Sequence, residues 1–254
     1  MRIGRSAILG RAGTVGFMSK ALIGTVRTAA ATAAFAGVHS LLASRGAKQW
    51  FAGRFGQKAY DGTYRATYNA VAVGTSAALV GYMAAQPARE VYRVRGAAAG
   101  AMRIGQAACA AGLAAAVWGA GPLRFSGITH LRRWLTGRAV APAPEGQNPG
   151  PTPEGRFRPT GIFRWCRHPA NFFAVPLIWL NPRMTTKLLA FNLVSSAYFY
   201  VGSLHTDRRM RREVGIAYES YKRQVPLFVP GTGGEGTPAR VPSARTRTRE
   251  LVRS

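Results

Sequence analysis

The chain is poor in acid. Nine Asp and Glu stand against 35 Lys and Arg, a formal net charge of +26 over 254 residues. A balance this basic raises anionic lipid or nucleic acid as partners, and the placement of the cations has to choose between them. Cysteine is scarce as well, with only Cys109 and Cys166, so no disulfide framework is expected. The four histidines, His39, His130, His168 and His205, lie far apart without CxxC or HExxH spacing, and no metal site is expected. Arg11 and Lys20 interrupt the N-terminal MRIGRSAILGRAGTVGFMSK before a signal-peptide core develops, so residues 1–20 read as a basic, flexible or interfacial lead-in. Strong hydropathy is also missing, because the apolar runs are built from Ala and Gly and the mean hydropathy is only -0.03.

Long, mildly apolar segments are nevertheless present. A helix needs about 20 mostly apolar residues to cross a bilayer, and Ala21–Ser44, Ala66–Gln86 and Ala97–Ala120 qualify on length. Small residues let such helices approach closely. Six prolines between Pro142 and Pro159 exclude regular structure there, which makes 139–160 an extended loop. Phe172–Leu180 is too short to cross alone, Asn181-Pro182 turns the chain, and Arg183–Leu204 supplies a further span, so Ala170–Leu204 reads as a helical hairpin. Residues 231–254 hold little to bury and should be disordered.

The expected fold is therefore all-α: a polytopic integral membrane helical bundle of about five transmembrane helices, with a C-terminal hairpin. With five spans, 24 Lys and Arg fall on the side of the long loop and the C-terminus against 9 on the other, which places the C-terminus in the cytoplasm. Cations that bracket apolar runs point to membrane lipids as partners, and no nucleic acid is expected. Met210, Val214, Tyr218, Tyr221 and Val225 recur at steps of three and four, one face of an amphipathic helix whose other face carries arginines. That helix should lie in the membrane interface, with Asp207 and Arg211 as an i, i+4 pair.

The string GIFRWCRHP, an apolar stretch, and then DRRMRREVGIAYESYKRQVPLFVP resemble the C-terminal half of the integral-membrane methyltransferases. That superfamily includes isoprenylcysteine carboxyl, phospholipid and methanethiol S-methyltransferases. Arg167, His168 and Pro169 match its R-H-P element, and Gly215, Tyr218, Tyr221, Val225, Pro226 and Pro230 match its G-x-x-Y-x-x-Y and V-P-x-x-x-P close. His39–Ser44 (HSLLAS) and Thr63–Asn69 (TYRATYN) are similar to the methanethiol enzymes and to the related nitric oxide reductase accessory membrane proteins. Two positions depart from the pattern: Asn171 stands where a tyrosine is usual, and Thr206-Asp207 stands for an acidic pair.

The resemblance implies a membrane methyltransferase-like domain over residues 21–230 that uses S-adenosylmethionine to methylate a small or lipophilic acceptor, a thiol, isoprenoid or lipid, at the cytoplasmic face. The donor's methyl group is already activated, so alignment and exclusion of water are needed rather than a nucleophile on the protein. Arg167 and His168 are then expected to hold the cofactor's carboxylate, with Asn171, Tyr218 and Tyr221 completing its site. Aromatic faces at Phe172, Phe173 or Tyr198 could meet the sulfonium. Asp207 and His39 are the expected catalytic groups, the latter because an ionisable group in a span defaults to function. Cys166 is expected to be inert. The rival implication is a non-catalytic accessory protein on the same scaffold that assists a redox complex.

Overall fold

The structure, a computed structural model, describes residues 5–141, 157 and 159–229, with side chains placed from residue 19 onward. The proline-rich segment and the C-terminal tail lie outside those residues almost entirely. Helix α1 (Arg5–Ala43) begins inside the expected lead-in and runs on as one helix through the first apolar segment. Ser44 leaves the helical region at φ -69 and ψ 156, and its hydroxyl accepts from the Ala47 amide, starting α2 (Arg45–Phe55). Helix α3 (Gln57–Ala85) follows. Its last carbonyls are capped from afar, because Lys187 Nζ donates to Met83 O, Ala84 O and Gln86 O at 2.7, 3.2 and 2.8 Å.

Strand β1 (Glu90–Arg93) pairs antiparallel with β2 (Arg183–Thr185), in a register that sets Glu90 against Thr185 and Arg93 against Arg183. Among the described residues the chain is all-α as expected, apart from this short ribbon. The ribbon forms because two short loops meet at the same end of the bundle, and Glu90 bridges Arg93 and Arg183 at 2.7 and 2.9 Å. Helix α4 (Gly96–Ala120) leads into two short helices, α5 (Pro122–Ser126) and α6 (Ile128–Leu135), at the head of the polar segment. A 3-10 turn at Gly161–Arg164 precedes α7 (Pro169–Trp179), and α8 (Thr186–Val214) and α9 (Ile216–Gln224) complete the order.

Packing follows small residues. Gly105, Gly112 and Gly119, seven apart on α4, form a smooth groove against Leu180, Phe173 and Phe163. A Cβ on Gly112 would stand 2.6 Å from the Phe173 ring, so only hydrogen fits there. The hairpin arms α7 and α8 are stitched by polar groups: Asn192 Nδ2 donates to Ile178 O at 3.0 Å, and Trp179 Nε1 to Ser196 Oγ at 3.0 Å. On α1, Thr28 and Thr32 are fully buried and bond back to Gly24 O and Thr28 O, so their hydroxyls are satisfied without water.

Two helical segments, Ser19–Ala43 and Gly96–Ala120, are long and apolar enough to cross a membrane. Both leave large apolar side chains exposed, among them Leu22, Val26, Ile104 and Trp118 at 64, 59, 72 and 78 %. A helix of a water-soluble core would bury that face, so hydrocarbon is the fitting surround. The other expected spans are less apolar or shorter. Ala66–Gln86, in the second half of α3, carries no charge but is built largely of Ala, Gly and polar residues, and the eleven residues of α7 reach only about 16 Å.

The amphipathic helix expected over residues 207–225 is not continuous. Helix α8 runs through to Val214, and Gly215 then turns the chain at φ +69 and ψ -137, a conformation that an L side chain resists. The apolar face still converges, but on protein: Met210, Ala217, Tyr218 and Tyr221 close around Phe157, with Val214 and Val225 against them. Met210 and Tyr218 are wholly buried, so the bend creates a small core where the sequence suggested a surface lying on lipid.

Candidate functional site

The R-H-P segment meets the end of the chain directly. Arg167 N donates to Pro226 O at 2.9 Å and His168 N to Leu227 O at 3.3 Å, so the loop before α7 and the segment after α9 lie side by side. From that seam both side chains reach Asp207 on α8. Arg167 forks onto the carboxylate, Nε to Oδ1 at 3.3 Å and Nη2 to Oδ2 at 2.9 Å. His168 Nε2 lies 2.8 Å from Oδ1, and the Tyr218 hydroxyl donates to the same oxygen at 2.5 Å. The group is nearly dry: Asp207, Arg167 and His168 are 5, 6 and 5 % exposed, and Tyr218 is fully buried. Arg167 Nη1 also donates to Lys222 O at 3.1 Å and Val225 O at 2.5 Å.

Burial opposes ionisation of Asp207, but the hydrogen bonds from His168, Tyr218 and Arg167 outweigh it and hold the carboxyl well below the usual carboxylate range. Tyr218 moves the other way. Burial, reinforced by its bond to the Asp207 carboxylate, pushes the phenol far above its ordinary value, so it stays a donor at any working pH. The Cys166 thiol is pushed up to about 11 by burial and is no thiolate nucleophile, as the sequence suggested. Arg211 does not pair with Asp207; its Nε lies 2.8 Å from Glu219 on α9, across the bend at Gly215.

Four of the seven sequence-selected residues thus form one cluster: Arg167, His168, Asp207 and Tyr218. Tyr221 stands beside it and donates to Phe163 O at 2.5 Å, tying the 3-10 turn to α9. Asn171, one turn into α7, donates to Ser203 Oγ at 2.8 Å, and Ser203 sits one turn before Asp207 on the same face of α8. His39 is elsewhere. It meets the Tyr68 hydroxyl through Nε2 at 2.5 Å, with Phe35 stacked at 5.6 Å and Tyr198 edge-on at 6.3 Å between ring centroids. Tyr198 and Asp207 stand nine residues apart on α8, about 180° around its axis, so His39 and Asp207 address different faces of one helix.

Two residues escaped the sequence reading. Tyr68, in the TYRATYN stretch, is the partner of His39, a pairing across 29 residues that no local pattern announces. Arg209 ties α8 to the end of α1 through Ala43 O at 3.1 Å and to Thr206 Oγ1 at 3.0 Å, and had passed as one cation of a basic face. Among the described residues no cluster of three or more His, Cys, Asp or Glu could hold a metal ion.

The chain is helical, has two membrane-competent helices, and buries a group of residues from the segments through which it resembles the membrane methyltransferases. Comparison with curated proteins supports that class. The chain is 34% identical over 74 residues to methanethiol S-methyltransferase 2 of Bradyrhizobium diazoefficiens, a stretch covering 29% of this chain and 29% of that protein. It is 30% identical over 80 residues to the methanethiol S-methyltransferase of Mycobacterium tuberculosis, covering 32% of this chain and 33% of that one. A similar match, 30% over 78 residues, reaches the enzyme of Crocosphaera subtropica. The matched stretch spans only about a third of the length of these relatives. No family model matches the chain, and no solved structure matches it.

Proposed function

We propose that this protein is a multi-pass membrane methyltransferase that transfers the methyl group of S-adenosylmethionine to a small thiol at the cytoplasmic face. The observation that carries the reading is the Asp207 group: segments 40 and 51 residues after Arg167 converge on one buried carboxylate, and they are the segments through which the chain resembles that superfamily. Methanethiol as the acceptor of the named relatives supports a thiol as the substrate class. The meeting of the Glu90–Arg93 and Arg183–Thr185 loops at one end, and of Ala43 with Arg209 at the other, supports a multi-pass bundle, and the excess of Lys and Arg on the side of the long loop and the C-terminus supports a cytoplasmic C-terminus.

The residues fit the donor, in roles that differ from those expected. Four N–H donors of Arg167 are occupied by Asp207 and two carbonyls, and the hydroxyls of Tyr218 and Tyr221 are engaged as well. These three act as the frame of the site. His168 donates from Nε2 to Asp207 and Asn171 gives its amide to Ser203; the second polar atom of each, Nδ1 and Oδ1, is the one we assign to the bound donor. Bound S-adenosylmethionine supplies an electrophilic methyl; the acceptor sulfur forms the new S–C bond as the sulfonium S–C bond breaks, and the thiol proton must leave. That proton is released to solvent, because the His39–Tyr68 pair lies on another face of α8 from the group that frames the donor.

Calorimetry of detergent-purified protein with S-adenosylmethionine, followed by transfer of a labelled methyl group to methanethiol and longer thiols, tests the reading. Saturable cofactor binding with product formation is expected. Absence of both would overturn it in favour of an accessory protein on the same scaffold.

A further inference from the structure

Outside the Asp207 group and the His39–Tyr68 pair, the structure carries one more hollow, largely apolar in its wall but with cationic side chains and a buried histidine among its lining residues. A space of about 480 Å³ opens beside the start of α6, lined by Pro122, Leu123, Arg124, Thr129, His130 and Arg133 among others. His130 is only 6 % exposed, lines this hollow, and its Nδ1 has no hydrogen-bond partner. A buried polar atom without a partner costs stability unless something fills the need. The amides at the start of α6 add to it. Leu131 N reaches back to Gly127 O and Ile128 N to the Ser126 hydroxyl, while those of Thr129 and His130 have no intrahelical acceptor.

The charge here is of one kind. Arg124 makes no side-chain hydrogen bond among the described residues, and Arg133 gives only Nε to Ala139 O at 2.7 Å, leaving both terminal nitrogens of its guanidinium. Arg65 from α3 also acts on His130, and Asp61 on the same helix is the acidic group that faces it. Burial, with Arg124 and Arg65 behind it, lowers the His130 pKa, so at neutral pH the ring is an uncharged donor or acceptor between cations.

We infer that this hollow binds the phosphate of an anionic phospholipid. Two guanidinium groups, an unpartnered imidazole nitrogen and a helix start suit a phosphate. The rest of the wall says what the phosphate is attached to. Leu123 is 60 % exposed beside Pro122, and Trp118 is 78 % exposed in the last turn of α4. Helix α4 is one of the two helices able to cross a membrane and ends at Ala120, so the hollow opens where hydrocarbon gives way to headgroups. A free phosphate has no use for an apolar rim at that depth; a lipid does. This site stands apart from the methyl-transfer reading and does not depend on it.

Native mass spectrometry of the full chain released from micelles, titrated with phosphatidylglycerol and with phosphatidylcholine, tests the site. Phosphatidylglycerol should bind with a clear preference, and Arg124→Gln should weaken it about ten-fold, the value of one charge-assisted contact. His130→Phe, which keeps a ring in the gap, should weaken it several-fold. Arg138→Gln removes an exposed cation outside the hollow and should leave binding within two-fold, while the melting temperature of Arg124→Gln stays that of the parent. Equal binding of both lipids, or equal losses for Arg124→Gln and Arg138→Gln, would mean that diffuse surface charge attracts lipid and would overturn the site. Displacement of the lipid by millimolar inorganic phosphate would overturn the lipid assignment.

Discussion

Replacing Arg167 by Ala separates two roles for this cation, an anchor for a ligand and a clamp within the protein. The variant loses two bonds to the Asp207 carboxylate and two to the Lys222 and Val225 carbonyls, in a place where both ionic partners are under 9 % exposed. Removing one member of a buried, hydrogen-bonded pair leaves the other charge uncompensated and costs about 3–5 kcal/mol. His168 and Tyr218 still hold Oδ1, which favours the lower end of that range. The measurement is thermal unfolding in detergent, where a fall in midpoint of about 10 °C is expected. The double variant Arg167→Ala/Asp207→Ala should lose less than the sum of the two single changes, because the second substitution removes the stranded charge. A midpoint shift of a degree or two together with abolished cofactor binding would refute the clamp and restore Arg167 as a ligand anchor.

Gly112→Leu drives a side chain into the Phe173 ring and should destabilise the α4–α7 contact by about 1–3 kcal/mol or more, read as a lower melting temperature, while Gly100→Leu, with open space around it, should not. The Asp207 carboxyl is depressed in the folded state, so its stabilisation is complete above the unfolded value of about 4 and is lost only as pH falls through the lower folded value. Unfolding followed from pH 7 to 4 should therefore show no loss assignable to this group, and Asp207→Asn should flatten the dependence below pH 4. Cys166 should resist maleimide labelling in the folded protein at pH 7 and react after denaturation, and rapid labelling of native protein would contradict its burial.

What the sequence determined was local. Runs of Ala and other apolar residues form helices from backbone preference and side-chain periodicity alone, so the C-terminal ends of Ala21–Ser44, Ala66–Gln86 and Ala97–Ala120 fall within a residue of the helix ends, while α1 and α3 begin well before the apolar segments, at Arg5 and Gln57. The R-H-P and G-x-x-Y strings were legible too, and with them the candidate site residues. Gly215 was visible as a motif position; that it would bend the chain, and turn a supposed lipid-facing stripe into a core around Phe157, depends on a backbone angle no periodicity reports. The ribbon joins strands some 90 residues apart through loops with no strand-like pattern of their own. The same limit governs the site. A sequence shows that Arg167 is a cation but not whether its donors are free, because the groups that occupy them lie 40, 55 and 58 residues away. Only the packing of α8, α9 and the final segment against the R-H-P loop decided that Arg167 faces the protein, and only the helical turn of α8 decided that Asp207 and His39 stand on different sides of it.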